Sequence, residues 1–427
     1  MKIDYSAKLK KISNAVESLR SELVEYIKKL VQTPSLPGQE QAVQKIVAEK
    51  LVSLGLKTTT LHSKKKQLQQ HPAFSDDGIP FDERLNVIGR WPGHSPDAPF
   101  HSLILNGHVD VVSPGNADFW QDSPWSGNIE NGRLYGRGAC DMKAGLAAAI
   151  YAVDALQRLG LQPARDVVLE SVIGEESGGI GTLTTLVNGY TADAAIIMEP
   201  TALALCPVQS GALTFRLKIR GKAAHAALKK SGVSAIEKLL PIMQALEALE
   251  KKRHAAYSNE LFDDPQCIAP ISIGTVHGGD WHSSVLETLA LEGRMGVFPG
   301  ESTAQAQHAF EQAIRQAAAG DAWLAEHPPL VEWFEGQFES GQTAIDSPII
   351  KTLTASHTQV CGQRPKVQGV TYGSDLRLFT NHARRPAVLY GPGNVRQAHA
   401  VDEFIELEQV FAATKTLALT IARWCGC

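Results

Sequence analysis

Histidine and acidic residues at short spacings are the side chains of this sequence best suited to chemistry. They are His108, Asp141, the adjacent pair Glu175 and Glu176, Glu199 and His399. Imidazole nitrogens and carboxylate oxygens form a mixed N/O ligand set, which suits zinc, cobalt or manganese better than calcium. Two metal ions need about five protein ligands when one carboxylate bridges them. The set therefore has five ligands and one spare glutamate, and a free carboxylate is what a general base requires.

Each of these residues also has a simpler interpretation when it is considered alone. Asp141 lies in a glycine-rich turn before the apolar run 147–153, where an aspartate is often only a helix N-cap. Glu175 and Glu176 follow an apolar run, and such a pair is also typical of a solvated acidic loop. Two adjacent glutamates are costly there unless they are exposed or neutralised by a cation. The metal interpretation therefore depends on the fold bringing the set together.

Apolar segments predict how these side chains are positioned. Ser102 to Val112 is the clearest buried strand, and it places His108 and Asp110 on one face because they are two residues apart. Further strands are predicted at 165–173, 194–199 and 387–390, and the run 147–153 predicts a buried helix. The candidate ligands lie at the ends of these strands, which is where ligands bind in α/β sheets.

The N-terminal quarter and the middle of the chain predict further elements. Helices are expected at 9–30 and 39–54 and a strand at 57–61, whereas 62–84 is polar and its three-lysine run predicts a solvated loop. The middle region alternates strand 212–220, helix 233–249, strands 268–276 and 285–297, and helix 304–319. This order is typical of an inserted α+β sandwich. We therefore predict an α/β catalytic domain with a mixed central sheet flanked by helices, formed by 1–208 and 325–427, and an inserted domain at 209–324.

Composition excludes several classes of function. The 427 residues include 41 Lys plus Arg and 45 Asp plus Glu, and a net charge of −4 argues against a nucleic-acid surface. The chain has no membrane-length apolar run, and six scattered cysteines do not form a disulfide framework, so we expect a cytoplasmic protein. The absence of a Gly-X-Ser-X-Gly elbow argues against a serine hydrolase, and the absence of a phosphate-binding glycine pattern argues against nucleotide cofactors.

Five short motifs together resemble the M20 family of metallopeptidases and deacylases, and the resemblance extends over nearly the whole chain. They are Gly107-His108-Val109-Asp110, Gly136-Arg137-Gly138 with Asp141-Met142-Lys143, Gly174-Glu175-Glu176, Met198-Glu199-Pro200 and the late His399. The family includes acetylornithine deacetylase and succinyl-diaminopimelate desuccinylase. It implies two divalent metal ions, zinc first with cobalt or manganese as alternatives, and a lid domain that commonly forms a homodimer.

The resemblance also implies roles for individual residues. His108 and Glu199 would hold one metal, Glu176 and His399 the other, and Asp141 would bridge them. Asp110 would orient His108, and Glu175 would be the general base that takes a proton from a metal-bridging water. Family members often have a cis peptide bond after the bridging aspartate, here Asp141-Met142. The inserted domain corresponds to the lid, and His225 matches the lid histidine that in dimeric relatives reaches the partner's site and stabilises the oxyanion.

Substrate-binding residues are implied at two further places. Arg294, and Arg377 in the loop Gly373-Ser374-Asp375-Leu376-Arg377, are candidates for binding a substrate carboxylate. Each arginine is equally suited to a structural ion pair, and both interpretations stay open. Many relatives have an Asn-Val-Val-Pro stretch where this chain has 281–286, Trp-His-Ser-Ser-Val-Leu. This difference is closest to the acetylornithine-deacetylase-like branch and leaves the preferred acyl group open.

The favoured function is a dinuclear amidohydrolase that removes an acyl group from an N-acyl amino acid or a related amine. A metallo-carboxypeptidase or dipeptidase would use the same chemistry with a different pocket. A deformylase or deacylase of a heterocyclic amine is a third candidate, and it would depend weakly on the two arginines. A non-catalytic, dimeric metal-binding protein is the alternative from another class, and the presence of Glu175 beside Glu176 argues against it.

Overall fold

The computed structural model describes residues 5–81 and 83–427, so residues 1–4 and Asp82 of the predicted segments lie outside it. The chain divides into two compact units. Unit 1 comprises the described residues of Met1–Pro207, Gln342–Gln368 and Ser374–Cys427, and unit 2 comprises Val208–Gly341 and Gly369–Gly373. Among the described residues, no helix combines the length and the apolar character needed to cross a membrane.

The strands and helices are numbered in chain order. The strands are β1 Lys57–His62, β2 Leu85–Trp91, β3 Leu103–His108, β4 Ile129–Glu130, β5 Arg133–Tyr135, β6 Val167–Val172, β7 Ala194–Ile197, β8 Leu205–Gln209, β9 Gly211–Arg220, β10 Ile271–His277, β11 Thr288–Val297, β12 Leu330–Trp333, β13 Gly341–Gln342, β14 Val367–Val370, β15 Ala387–Leu389 and β16 Phe404–Glu406. The helices are α1 Tyr5–Ser18, α2 Arg20–Val31, α3 Gln41–Ser53, α4 Lys65–Leu68, α5 Ala144–Arg158, α6 Ile180–Val187, α7 Ala235–Ala255, α8 Thr303–Ala319, α9 Ala322–Glu326, α10 Pro348–Cys361 and α11 Leu407–Ile421.

A mixed sheet forms the centre of unit 1, as predicted. Its strand order is β1-β2-β6-β3-β7-β15-β8-β13, with β14 beside β8. The central strands β6, β3, β7 and β15 are parallel, whereas β2 pairs antiparallel with β6. Every residue of β3 and of β6 is buried, which is expected for strands covered by helices on both faces. The carboxyl ends of the parallel strands therefore meet at one edge of the sheet.

The helices that the sequence predicts in unit 1 are present, one of them with a break, whereas α4, α6 and α10 were not predicted. The predicted buried helix is α5, whose residues 144–156 are all buried. The predicted helix 9–30 is divided into α1 and α2 at Leu19, which is outside both helices but still accepts a hydrogen bond from the amide of Leu23. The lysine run Lys64 to Lys66 is exposed as predicted, but Lys65 and Lys66 belong to the short helix α4 and not to a loop. The same segment also buries apolar side chains, because Leu68 and Ala73 pack against Leu183 and Leu378.

Unit 2 has the predicted order of strand, helix, two strands and helix. Its antiparallel sheet has the strand order β10-β11-β9-β12. Alternate residues of β9, including Phe215 and Leu217, pack with Ile242 of α7 and with Phe310 of α8 in one apolar core. This packing of two helices on one sheet is the predicted α+β sandwich.

Candidate metal centre

The carboxylate of Asp141 lies between the imidazole rings of two histidines from distant parts of the chain. Its Oδ1 is 3.1 Å from Nε2 of His108, and its Oδ2 is 3.6 Å from Nε2 of His399. Nε2 of His399 is also 3.1 Å from the carboxylate of Glu176. The four residues therefore meet in unit 1 although they come from separate segments. His108 is at the end of β3, Asp141 is in the turn before α5, Glu176 is in the loop after β6, and His399 lies before β16.

Local backbone geometry presents Asp141 to these rings. The residue lies in the turn Ala139–Lys143, and the Asp141-Met142 peptide bond is cis, which confirms the prediction. Lys143, and not Asp141, precedes the first turn of α5. The alternative of a simple N-cap is therefore wrong, and the Asp141 carboxylate is left to interact with imidazoles.

Asp110 orients two groups at once. The sequence predicted that Asp110 lies within the strand 102–112. In the structure β3 ends at His108, so Asp110 lies beyond the strand. Nδ1 of His108 forms a 2.9 Å hydrogen bond with the backbone oxygen of Asp110. The Asp110 carboxylate accepts hydrogen bonds from the amides of Glu175 and Glu176, at 3.3 and 3.1 Å. Asp110 thereby joins the strand that ends in His108 to the loop that contains the two glutamates.

The remaining acidic residues lie close to the same histidine. Potential ligand atoms of His108, Glu175 and Glu199 lie within 4.8 Å of one another, and so do those of His108, Asp141 and Glu176. Glu175 and Glu199 are buried, and Oε1 of Glu199 has no hydrogen-bond partner in the described part of the chain. The fold therefore brings together all six candidate residues that the sequence identified.

The electrostatics of the cluster fit bound cations. Burial raises the pKa of Glu175 and of Glu199, and repulsion from neighbouring carboxylates raises both further. Burial also raises the pKa of Glu176, against the effect of its hydrogen bond with His399. A buried oxygen without a partner and several repelling carboxylates form a group that divalent cations would neutralise. The mixed imidazole and carboxylate donors suit zinc, cobalt or manganese.

For the two histidines and Asp141, hydrogen bonds and neighbouring charges outweigh the effect of burial on the pKa. Burial alone would lower the pKa of His108, but its hydrogen bond with Asp141 and the nearby carboxylates outweigh burial and raise it well above the ordinary value. The hydrogen bond with Glu176 raises the pKa of His399. Burial would raise the pKa of Asp141, yet the hydrogen bond and charge of His108 lower it overall. These shifts favour the charged forms of Asp141 and of both histidines in the arrangement described.

Glu403 and Arg137 support the cluster, although sequence reasoning assigned neither of them a role. Oε1 of Glu403 accepts hydrogen bonds from the amides of Cys140 and Asp141, at 2.8 and 3.1 Å. Its Oε2 forms a 2.6 Å ion pair with Nη1 of Arg137, and both side chains are buried. Nη2 of Arg137 donates to the backbone oxygen of His399 at 3.2 Å. The pair therefore connects the backbones of Asp141 and His399. Its only signals in the sequence were the place of Arg137 inside the motif Gly136-Arg137-Gly138 and the place of Glu403 shortly after His399.

The predicted substrate loop of unit 1 is buried. Arg377 is completely buried, and its Nη2 donates to the backbone oxygen of Gly178 at 2.8 Å. Ser374 is also buried, and its Oγ accepts the amide of Leu376 at 3.2 Å. Asp375 accepts a 2.6 Å hydrogen bond from Oγ1 of Thr182. These contacts favour the structural interpretation of Arg377 over the substrate-binding one.

Unit 2 places its two predicted residues differently. Nδ1 of His225 accepts a hydrogen bond from the amide of Ala227, so a neutral ring has its proton on Nε2. Arg294 lines a cavity of about 430 Å³ and has no carboxylate partner among the described residues. Its Nη2 is 3.5 Å from the backbone oxygen of Thr371, and partial desolvation by the surrounding atoms lowers its pKa although the residue is exposed to solvent. Gly373 lies against Phe338, where a Cβ would be 2.6 Å from that side chain.

Comparisons with known proteins agree with this geometry. The model of peptidase family M20/M25/M40 matches residues 104–423. An N-formyl-4-amino-5-aminomethyl-2-methylpyrimidine deformylase from Bacillus subtilis is 30% identical, over 97% of each chain. An acetylornithine deacetylase from Aliivibrio fischeri strain MJ11 is 27% identical, over 76% of this chain and 81% of that protein. The fold is similar to that of the dipeptidase Dug1p from Saccharomyces cerevisiae, with a TM-score of 0.77, 17% identity and 99% of each chain covered.

Proposed function

The chain belongs to peptidase family M20/M25/M40 and is a hydrolase of amide bonds, and we propose that its substrate is a small N-acyl amine, first of all an N-formylated aminomethylpyrimidine. The observation that supports a two-metal site is the position of Asp141, whose two oxygens face His108 and His399 separately. The similarity to the Bacillus subtilis deformylase, which covers 97% of both chains, supports the choice of first substrate.

We assign two divalent cations, zinc first and cobalt or manganese as alternatives, to this cluster. His108 and Glu199 would hold one cation, Glu176 and His399 the other, and Asp141 would contact both. The distances within the cluster and the unpartnered Oε1 of Glu199 support this assignment. Cations bound there would polarise the scissile carbonyl and activate a water molecule.

Glu175 is the proposed general base. It takes one proton from the attacking water and passes it to the amine nitrogen as the C–N bond breaks, so that the products are a carboxylic acid and a free amine. Asp110 holds the amide of Glu175 and thereby orients the base. By the family resemblance, His225 would act on the site of a partner subunit, and its Nε2–H group is free to donate to a carbonyl oxygen there because Nδ1 accepts the amide of Ala227.

A second candidate substrate class is an N-acyl amino acid. Arg294 favours it, because a guanidinium beside a cavity of about 430 Å³, without a carboxylate partner among the described residues, is suited to a substrate carboxylate. The buried Arg377 does not add a second carboxylate-binding group in the geometry described. The two classes therefore differ in one testable respect, the contribution of Arg294.

The test measures amine release by the zinc-loaded or cobalt-loaded protein from N-formyl, N-acetyl and N-succinyl amino acids, dipeptides and one N-formyl aminomethylpyrimidine. Glu175→Gln should lose activity by a factor of about 100 or more while it still binds two metal ions per chain. Glu247→Gln is the control, because Glu247 is an exposed residue of unit 2 whose carboxylate pairs with Lys251 on the same helix. Turnover of dipeptides alone would indicate a peptidase. Metal binding without any amine release would favour the non-catalytic alternative.

We propose that unit 2 forms a homodimer. The strand β10 is at the edge of its sheet, and Val276 on this strand is exposed. Ile236, Leu240 and Met243 of α7 are exposed at helical spacing and form an apolar stripe. An open edge strand and an apolar stripe are suited to pairing with a second copy of the chain. Leu240→Glu should convert a dimer to monomers in light scattering, whereas Phe119→Ser, which removes an exposed side chain of unit 1, should not.

The cytoplasm is the proposed location. All six cysteines are unpaired, three of them buried at 140, 206 and 425. Thiols of this kind persist in a reducing compartment. Localisation of a fluorescent fusion tests this proposal, and accumulation outside the cytoplasm would contradict it.

A further inference from the structure

A buried ion pair lies behind the loop that contains the two catalytic-site glutamates. Nη1 of Arg84 is 2.5 Å from Oδ2 of Asp77, and both side chains are almost completely buried. Nη2 of Arg84 is 3.5 Å from Oε1 of Glu40, which is equally buried. Breaking a buried pair by removal of one partner is costly, so this group has a well-defined position.

The loop Gly174–Gly179 rests directly on this pair. Oγ of Ser177 donates a 2.8 Å hydrogen bond to Oδ2 of Asp77, the same oxygen that Arg84 contacts. A Cβ at Gly174 would be 2.6 Å from Nη2 of Arg84, so the backbone at Gly174 lies against the guanidinium. The pair therefore contacts the residues immediately before Glu175 and immediately after Glu176.

The two carboxylate oxygens of Asp77 make different contacts. Oδ1 accepts the amide of Ile79 at 3.1 Å and closes the turn of its own segment. Oδ2 receives Arg84 and Ser177. A residue needed only for its own turn would use Oδ1 alone, whereas Oδ2 of Asp77 connects Arg84 with Ser177 of the loop.

We propose that Asp77 and Arg84 are positioning residues for amide hydrolysis, which hold Glu175 and Glu176 in place through Ser177 and Gly174. This inference rests on the proposed function of the site. Asp110 fixes the amides of the two glutamates from one side, and the Asp77–Arg84 pair fixes the loop backbone on either side of them. A small displacement of a general base is costly, because misplacement by about 1 Å can reduce the rate about 100-fold.

The test compares Ser177→Ala, Asp77→Asn and the double variant in the full-length, metal-loaded protein. Each single variant should reduce kcat by about tenfold with KM changed less than twofold. The double variant should be no slower than the slower single variant, because both changes remove the same contact. Ser177→Thr, which keeps the hydroxyl group, should restore most of kcat.

Asp154→Asn is the matched control for a merely structural effect. Asp154 is a buried aspartate of unit 1 that pairs with Lys50 at 2.8 Å and with Arg158 at 2.9 Å, on the helix α5. This variant should lower the melting temperature without changing kcat of the folded protein. A fall in melting temperature with unchanged kcat for Ser177→Ala and Asp77→Asn as well would overturn the proposal.

A second measurement separates this proposal from the proposed function. The visible absorption spectrum of the cobalt-loaded protein reports the geometry around the proposed ligand Glu176 without any substrate. Changed bands in Asp77→Asn and Ser177→Ala, but not in Asp154→Asn, support the positioning role even if the wild type hydrolyses no tested amide. A loss of kcat with an unchanged spectrum also supports it, through Glu175 alone. If the wild type is inactive and the spectra are identical, the positioning role is rejected.

Discussion

Replacement of Glu403 by glutamine should disturb the metal centre without changing any proposed ligand. The carboxylate of Glu403 accepts the amides of Cys140 and Asp141 through one oxygen and the guanidinium of Arg137 through the other. Glutamine has nearly the same shape, and its oxygen can still accept the two amides. Its NH₂ group then faces the guanidinium, so Arg137 loses its buried counter-charge.

The size of the effect follows from this geometry. Removing one partner of a buried ion pair typically costs about 3–5 kcal/mol of the free energy of unfolding. Unit 1 has about 290 residues, and an unfolding entropy of about 2.1 cal/mol/K per residue converts this loss to a fall of about 5–8 °C in melting temperature. Because Arg137 also holds the backbone of His399, metal affinity should fall by about 10–100-fold, as is usual for supporting residues.

Calorimetry and competition with a metal chelator measure the two effects. The double variant with Arg137→Met provides the control, since the two singles should cost more in sum than the double by about 0.5–3 kcal/mol. A melting temperature within 1 °C of the wild type, together with unchanged metal affinity, would show that this pair supports neither the fold nor the site.

Three further predictions concern charge, metal and substrate. Glu170→Gln should make stability depend less on pH. Burial raises the folded pKa of Glu170 to about 8, so this carboxyl stays protonated in the folded state while it ionises in the unfolded state, and it costs the wild type roughly 1.4 kcal/mol of stability per pH unit as the pH rises from about 4.5 to about 8. Calorimetry at several pH values should show a slope that is shallower by this amount in the variant, and equal slopes would contradict the reasoning. Removal of metal with a chelator should lower the melting temperature, and free zinc at about 100 times its dissociation constant should restore about 2.7 kcal/mol; equal melting curves would argue against a metal site. Arg294→Ala should raise KM for N-acyl amino acids about tenfold or more and leave KM for an N-formyl aminomethylpyrimidine within twofold, whereas equal effects on both would remove Arg294 as a carboxylate-binding residue.

The sequence predicted the arrangement of the fold because its strong signals are local. The apolar run 147–153 and the alternating strand 212–220 are visible within a few residues, and both form the expected elements α5 and β9. Candidate ligands were found for a related reason: each stands at the end of an apolar strand or in a glycine-rich turn. These six residues meet in one cluster because β6, β3 and β7 are parallel neighbours in the sheet. The buried apolar runs predict that these segments are strands, but they do not predict the order of the strands.

Contacts between distant charged residues could not be predicted in the same way. Arg377 was a candidate for substrate binding because arginines suit carboxylates, but its burial against Gly178 depends on residues about 200 positions away. Arg84 belongs to a segment whose polar composition indicated a solvated loop, and only the contacts with Asp77 and Glu40 explain its burial. Charge by itself does not distinguish a solvated side chain from a buried one with a partner.

The hydrogen bonds of each carboxylate separate supports from ligands, and this distinction predicts opposite effects on stability. Asp110 accepts a hydrogen bond from the backbone amide of the proposed ligand Glu176, and Glu403 accepts one from the backbone amide of the proposed ligand Asp141. Oε1 of Glu199, in contrast, has no hydrogen-bond partner in the described part of the chain. Without metal, Glu199 adds repulsion to a buried acidic cluster, as the raised pKa of its carboxyl indicates. Glu199→Gln should therefore leave the metal-free protein as stable as the wild type or more stable, while it weakens metal binding. Glu403→Gln should destabilise the protein with or without metal, so calorimetry of the metal-free forms should place this variant below the wild type and Glu199→Gln at or above the wild type. A metal-free Glu199→Gln protein that melts as low as Glu403→Gln would mean that Glu199 is a support and not a ligand.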